Sequence, residues 1–272
     1  MSLKFSNTLK SETVRDALKE LHRVKYKNAV GGGIAVHHYI PEELYRPTSD
    51  LDLTTDNSLS LTEFREKNAS LISYFENKGA KIKTEKDRTT FSLEILVDEK
   101  SNDGLTIQTT RRSKKNIENN KESINHEIEN SKAFVRPNKG TSIFSEYKVL
   151  RPEDLILRKV CRILEFSRNY NLKMPEARNG CAEKYLNHIS EERNSLYNHQ
   201  IDNVDPREII KFRLNCDVYD ITLLDVYQHL DKAYFEESKS KRMSNCKEDF
   251  DVVLKNSAPK LYYKKPVGKI VV

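Results

Sequence analysis

The chain has no tryptophan, only four cysteines and three methionines, and eight glycines in 272 residues, and each scarcity narrows what it can be. Cys161, Cys181, Cys216 and Cys246 stand far apart and form no C-x-x-C pair. A disulfide scaffold and a zinc ribbon therefore find no support, and reduced thiols in a cytoplasmic protein are expected. No apolar run approaches the roughly 20 residues that a membrane-spanning helix needs, so no membrane segment is expected. With 37% apolar and 32% charged residues the chain is polar, yet it is not a disordered composition. Lys and Arg exceed Asp and Glu by 47 to 41, a net charge of +6 that inclines the protein toward anionic partners such as nucleotides or RNA.

What is present divides the chain in two. Up to about residue 150 short strands alternate with helices. An amphipathic helix over about 11–24, capped from Ser11 or Thr13, precedes a strand ending at Gly31, a short helix over 34–39, a strand from Ser49 and a helix over 61–78. AKIKTE, TTFSLEILV and GLTIQTT then alternate polar and apolar residues as strands do, and a further short strand is expected over 145–150. Residues 111–132 are charged and Asn-rich without a clear apolar face, and read as a mobile excursion containing the basic residues Arg111, Arg112, Lys114 and Lys115. From Arg151 onward helices are expected over 152–168, 178–195, 205–235 and 242–256. This pattern predicts an α/β domain over 1–150 and a helical bundle over 151–272. The basic ending KLYYKKPVGKIVV is expected to be a packed tail or a nucleic-acid contact.

Three of the eight glycines are consecutive, Gly31 to Gly33, and two aspartates one residue apart, Asp50 and Asp52, follow within about twenty residues. On a strand Asp50 and Asp52 share one face while Leu51 and Leu53 share the other. Two like charges that close oppose folding unless a cation lies between them. Mg²⁺ or Mn²⁺ is the expected ion, held by the carboxylates, water and substrate phosphates. The glycines, at the end of a strand and the start of a helix, expose backbone N–H groups to which a triphosphate can come close.

Gly32-Gly33-Ile34-Ala35 and Arg46-Pro47-Thr48-Ser49-Asp50-Leu51-Asp52-Leu53 resemble two elements of the AbiEii/AbiGii-type toxins, relatives of DNA polymerase β in the nucleotidyltransferase superfamily. These are a Gly-Gly-x-Ala segment and an Arg-x-Ser/Thr-x-Asp-x-Asp segment. Pro152-Glu153-Asp154-Leu155-Ile156-Leu157-Arg158-Lys159 resembles a third, acidic-Asp-Leu-x-x-x-Lys, and Asp217-Val218-Tyr219-Asp220 a fourth, which enters a long helix. Independently of the resemblance, a helical wheel sets Lys159 within the arc of Leu155, Ile156, Val160 and Ile163, so its side chain points inward, and its ammonium either meets an anionic partner or snorkels to water. A bound phosphate or one of the aspartates would serve. Asp217 and Asp220 share one side of a helix and are placed to orient that lysine or accept a proton, although Asp217 also suits a helix cap.

The resemblance implies a nucleotidyltransferase-fold mixed sheet followed by a helical bundle, with the active site in the cleft between them. It implies transfer of a nucleoside monophosphate from an NTP to an acceptor, RNA such as a tRNA 3′ end or a protein, and by analogy an antitoxin partner. Asp50 and Asp52 would hold the metal ions, Gly32, Gly33, Thr48 and Ser49 the triphosphate, and Arg46 would pair with it or brace the loop. Lys159 would neutralise developing charge, with Asp217 or Asp220 beside it. A third carboxylate is expected at Glu94 or its place is taken by Gln108, which cannot be an anionic ligand. The alternative is a non-catalytic nucleotide-binding or interaction protein on the same fold, for which Gln108 and Pro47 speak.

Overall fold

Strand periodicity in the first half and helix periodicity in the second resolve into two units in a computed structural model, which describes residues 5–98, 103–110, 112–137, 144–173, 182–198, 205–242 and 247–262. One unit is Met1–Ala35 with Pro47–Arg151, the other Val36–Arg46 with Pro152–Val272. The strands of the first are β1 (Asn28–Gly31), β2 (Asp50–Thr55), β3 (Lys81–Lys86), β4 (Thr90–Asp98), β5 (Asp103–Thr110), β6 (Lys132–Pro137) and β7 (Phe144–Val149). They form one mixed sheet in the order β3-β4-β5-β2-β1-β7-β6. β2 runs antiparallel to β1 and parallel to β5, while β4 runs antiparallel to β5.

The alternation of side chains sorts this sheet into two chemistries. Leu51 lies opposite Ile107 and Ile107 opposite Leu93, all buried. Helix α1 (Glu12–Glu20) covers β5 and β7 with Val14, Ala17 and Leu18, and packs against α4 (Ala69–Asn77). The other face carries polar rows. Asp50, Thr106 and Glu94 are aligned across β2, β5 and β4, and Asp52, Gln108 and Ser92 form the next row.

Several elements differ from the sequence-based expectation. The helix expected over 61–78 is two, α3 (Leu61–Lys67) and α4, because Asn68 is fully buried at the break. Its amide donates to the Phe64 carbonyl at 2.7 Å, and such side-chain bonds compete with the helix ladder. Ser11 holds the N-cap position of α1, but its hydroxyl makes no cap bond and accepts instead from the Thr8 N–H at 3.0 Å. Residues 111–132 are not an excursion: Lys114–Glu129 form α5, capped by the Ser113 hydroxyl accepting from Asn116 N–H at 3.1 Å. Only the i,i+4 pair Ile124 and Ile128 is apolar and buried there, too narrow a stripe to announce a helix. Arg112 donates to the Thr55 carbonyl at 3.0 Å, and Arg111 lies outside the described residues. After α5, β6 pairs with β7 and adds a strand that the sequence did not suggest.

The second unit is helical: α6 (Pro152–Asn169), α7 (Ala182–Asn198), α8 (Pro206–Tyr227), α9 (Lys232–Arg242), α10 (Lys247–Ser257) and α11 (Pro259–Tyr262). The helix expected over 205–235 ends at Tyr227, where Gln228 turns extended, and α9 restarts behind Asp231, whose carboxylate accepts from Tyr234 N–H at 3.1 Å. Residues 36–46, which a division at residue 150 leaves in the first domain, belong to this unit. α8 holds them, with the Tyr219 hydroxyl donating to the Leu44 carbonyl at 2.9 Å and the Gln228 amide to the Tyr39 carbonyl. Cys161 and Cys216 are in no disulfide; Cys181, Cys246 and the basic ending from residue 263 lie outside the described residues. No described helix is long and apolar enough to cross a membrane.

Gly104 opens β5, the strand that carries Thr106 and Gln108, and a Cβ there would overlap the Ile95 carbonyl and the Phe5 ring. Gly104→Ala is expected to lower the unfolding free energy by about 1–3 kcal/mol, read as a lower urea midpoint.

Candidate functional site

The first unit brings Asp50 and Asp52 onto one sheet face, as the strand period requires, with Asp50 buried and Asp52 half-buried. Gln108 lies directly opposite Asp52, and its Nε2 donates to Asp52 Oδ1 at 2.6 Å. Glu94 is two strands from Asp50, with Thr106 between them, a separation of about 10 Å at ordinary strand spacing. The position that adjoins Asp52 is thus held by an amide, and Glu94 does not complete a three-carboxylate cluster. Among the described residues no group of three or more His, Cys, Asp or Glu is placed to hold a metal ion.

Gly32 accounts for the glycine run. Its φ is +65°, where side chains are disfavoured, and a Cβ there would overlap the Asp52 carboxylate. Only a bare backbone lets Asp52 lie at the β1–α2 junction, α2 being the short helix Gly32–Val36. Gly33 is buried in its first turn. Ser49 is committed elsewhere, its hydroxyl donating to the Phe5 carbonyl at 3.1 Å. Thr48 is half-buried and its backbone bridges Asn7 in both directions, at 2.7 and 2.8 Å. Two carboxylates on a polar face beside a glycine cradle form a donor set suited to a divalent ion whose remaining ligands are water and phosphate.

The second unit gathers Arg46, Lys159, Asp217 and Asp220 with a residue that sequence reasoning missed, Arg162. Lys159 is 2% exposed on α6, its Nζ 3.0 Å from Asp217 and 2.7 Å from Asp220. Arg46 forks onto Asp220 with Nε at 2.8 Å and Nη2 at 2.6 Å. Arg162 forks onto Asp217, its Nε 2.6 Å from Oδ2, while its side chain remains 42% exposed. Spacing carried a signal for it, since Arg162 follows Lys159 by three on one face of α6. Asp217 lies in the middle of α8 and is no cap; Asp205 caps that helix.

Among the described residues, Arg46, Lys159 and Arg162 surround the carboxylates of Asp217 and Asp220. Burial alone would raise the pKa of Asp217, but Arg162 and Lys159 outweigh it and hold the group below the usual carboxylate range. Asp220 is held down in the same way by Arg46 and Lys159. Neither is suited to accept a proton near neutrality. The two arginine forks are used on carboxylates, so Arg46 braces its own segment, and Lys159 finds its anionic partners within the protein.

Of the two histidines behind the glycines, His37 is buried, stacks on Tyr45 at 4.3 Å between centroids, and lies 3.1 Å by its Nε2 from the Arg46 carbonyl. Burial, reinforced by the Arg46 charge, pushes its pKa down to about 3, so it stays neutral at physiological pH. Burial likewise raises the Cys216 thiol to about 12, which makes it unreactive.

Compared with known proteins, the chain matches no protein-family model and no curated protein.

Asp220→Ala leaves Arg46 and Lys159 without their shared carboxylate and is expected to cost about 3–5 kcal/mol, measured by urea unfolding. Lys159→Met should cost less, because Asp217 keeps Arg162 and Asp220 keeps Arg46. Acidification supplies a second measurement. The native His37 pKa lies far below its ordinary 6.5, so the unfolded chain takes up a proton first and stability declines as the pH falls from 6.5 toward about 3. The expected slope is up to about 1.4 kcal/mol per pH unit, and it should flatten between pH 6 and 5 in His37→Gln.

Proposed function

We propose that this chain is a nucleotidyltransferase that moves a nucleoside monophosphate from an NTP to an acceptor with a divalent cation, Mg²⁺ or Mn²⁺. The observation that carries the reading is the approach of the Gly32 backbone to Asp52 on the face shared with Asp50. A metal-binding carboxylate pair and a place for phosphate are thereby adjacent. The mixed sheet and the helical unit agree with the fold that the motif resemblance implies.

In the proposed reaction a bond forms between an acceptor oxygen and the α-phosphorus, the bond to the β-phosphate oxygen breaks, pyrophosphate leaves, and the acceptor hydroxyl's proton passes to solvent water. Asp50 and Asp52 would hold the cation, whose chemistry when bound would be neutralisation of phosphate charge and acidification of a hydroxyl. Gly32 and Gly33 admit the triphosphate close to the chain, with Thr48 and Ser49 shaping the approach to β2. Asp217 and Asp220 act as holders of Lys159 and Arg46 and not as bases. RNA such as tRNA suits the basic composition as acceptor, a protein side chain being the other class, and the toxin relatives suggest an antitoxin partner.

A second reading, a nucleotide-binding protein without turnover, is favoured by one observation: an amide occupies the position next to Asp52. Calorimetric titration with each NTP, with and without Mg²⁺, followed by labelled-NTP transfer onto tRNA and protein, separates the two. Metal-dependent binding that is lost in Asp52→Ala, together with transfer, is expected; binding without transfer to any acceptor would establish the second reading, and no binding would refute both.

A further inference from the structure

We infer that the polar sheet face binds one divalent cation and not two, and that Gln108 is the positioning residue that sets this number. The inference rests on the nucleotidyltransferase reading. Two catalytic ions about 3.5–4 Å apart are clamped by carboxylates that give one oxygen to each. Asp52 is not placed to do so. Its Oδ1 accepts the Gln108 amide at 2.6 Å, a contact that turns the positive end of an N–H dipole toward the place a second cation would occupy. Its other oxygen packs beside Gly32, in the space a Cβ would need.

No acidic residue of the described strands β3 and β4 takes over. Glu94 on β4 and Glu85 on β3 lie two and three strands from β2, about 10 and 14 Å away at ordinary spacing, and Glu85 pairs with Lys83.

An independent feature points to a ligand beside Asp50. Thr106, opposite Asp50 on the same face, is 8% exposed, and its hydroxyl has no hydrogen-bond partner among the described residues. A buried hydroxyl left unbonded is costly. A water on the cation or a phosphate oxygen would satisfy it, which places the single ion on the Asp50 side of the pair while Gln108 fixes Asp52 in one orientation.

The test is Mn²⁺ titration of the full chain, followed by electron paramagnetic resonance in the presence of α,β-methylene analogues of the four common NTPs, one at a time. Wild type is expected to bind one Mn²⁺ per chain with no spin coupling. Gln108→Asp, or Gln108→Glu if the aspartate variant does not fold, should bind two and show the coupled spectrum of a close pair. Gln108→Leu should keep one ion but bind it about tenfold more weakly, the usual effect of losing a group that orients a ligand. A coupled pair in wild type would overturn the inference and leave the nucleotidyltransferase reading standing. So would an uncoupled single ion in wild type and both acidic variants, or unchanged affinity in Gln108→Leu. No Mn²⁺ bound by wild type or any variant would overturn both.

Discussion

A carboxylate taken out of water has to be met by a donor or a cation, and that constraint arranges both units of this chain. In the second unit it is met entirely by side chains: Asp217 and Asp220, on one side of α8, are held by Lys159 and two arginine forks. In the first unit the Gln108 amide meets the half-buried carboxylate of Asp52.

The helical unit shows how a buried charge network organises its surroundings. α8 is buried on several sides, since α6, α7 and residues 36–46 all pack on it, so it carries little amphipathic signal. Arg46 draws the segment after the glycines onto this unit through Asp220. His37 and Tyr45 stack over the same segment, and the Tyr219 hydroxyl holds its backbone. The arginine and the aspartates of one linear motif therefore belong to different units: Arg46 to the second, Asp50 and Asp52 to the first.

Much of the local structure was legible. Alternation over residues 81–110 identified β3, β4 and β5, and the wheel position of Lys159 announced an inward-pointing side chain. What escaped has physical causes. α5 presents a two-isoleucine stripe, β6 is an edge strand whose apolar residues Ala133, Phe134 and Val135 are consecutive and do not alternate, and the Asn68 break arises from a side chain that bonds its own helix. Arg162 was overlooked because a half-exposed arginine on a helix reads as a solvated residue until its partner from α8 is seen.

The sequence by itself determined that Asp50 and Asp52 share a face opposite Leu51 and Leu53, that the glycines answer a backbone need, and that strands give way to helices near residue 151, because these follow from periodicities within single elements. Only the tertiary structure decided which partner each charge receives. Gln108 reaches Asp52 through a parallel pairing across 56 residues, and Arg46 reaches Asp220 across 174. No local pattern encodes such pairings, since they depend on strand register and on which helix faces meet.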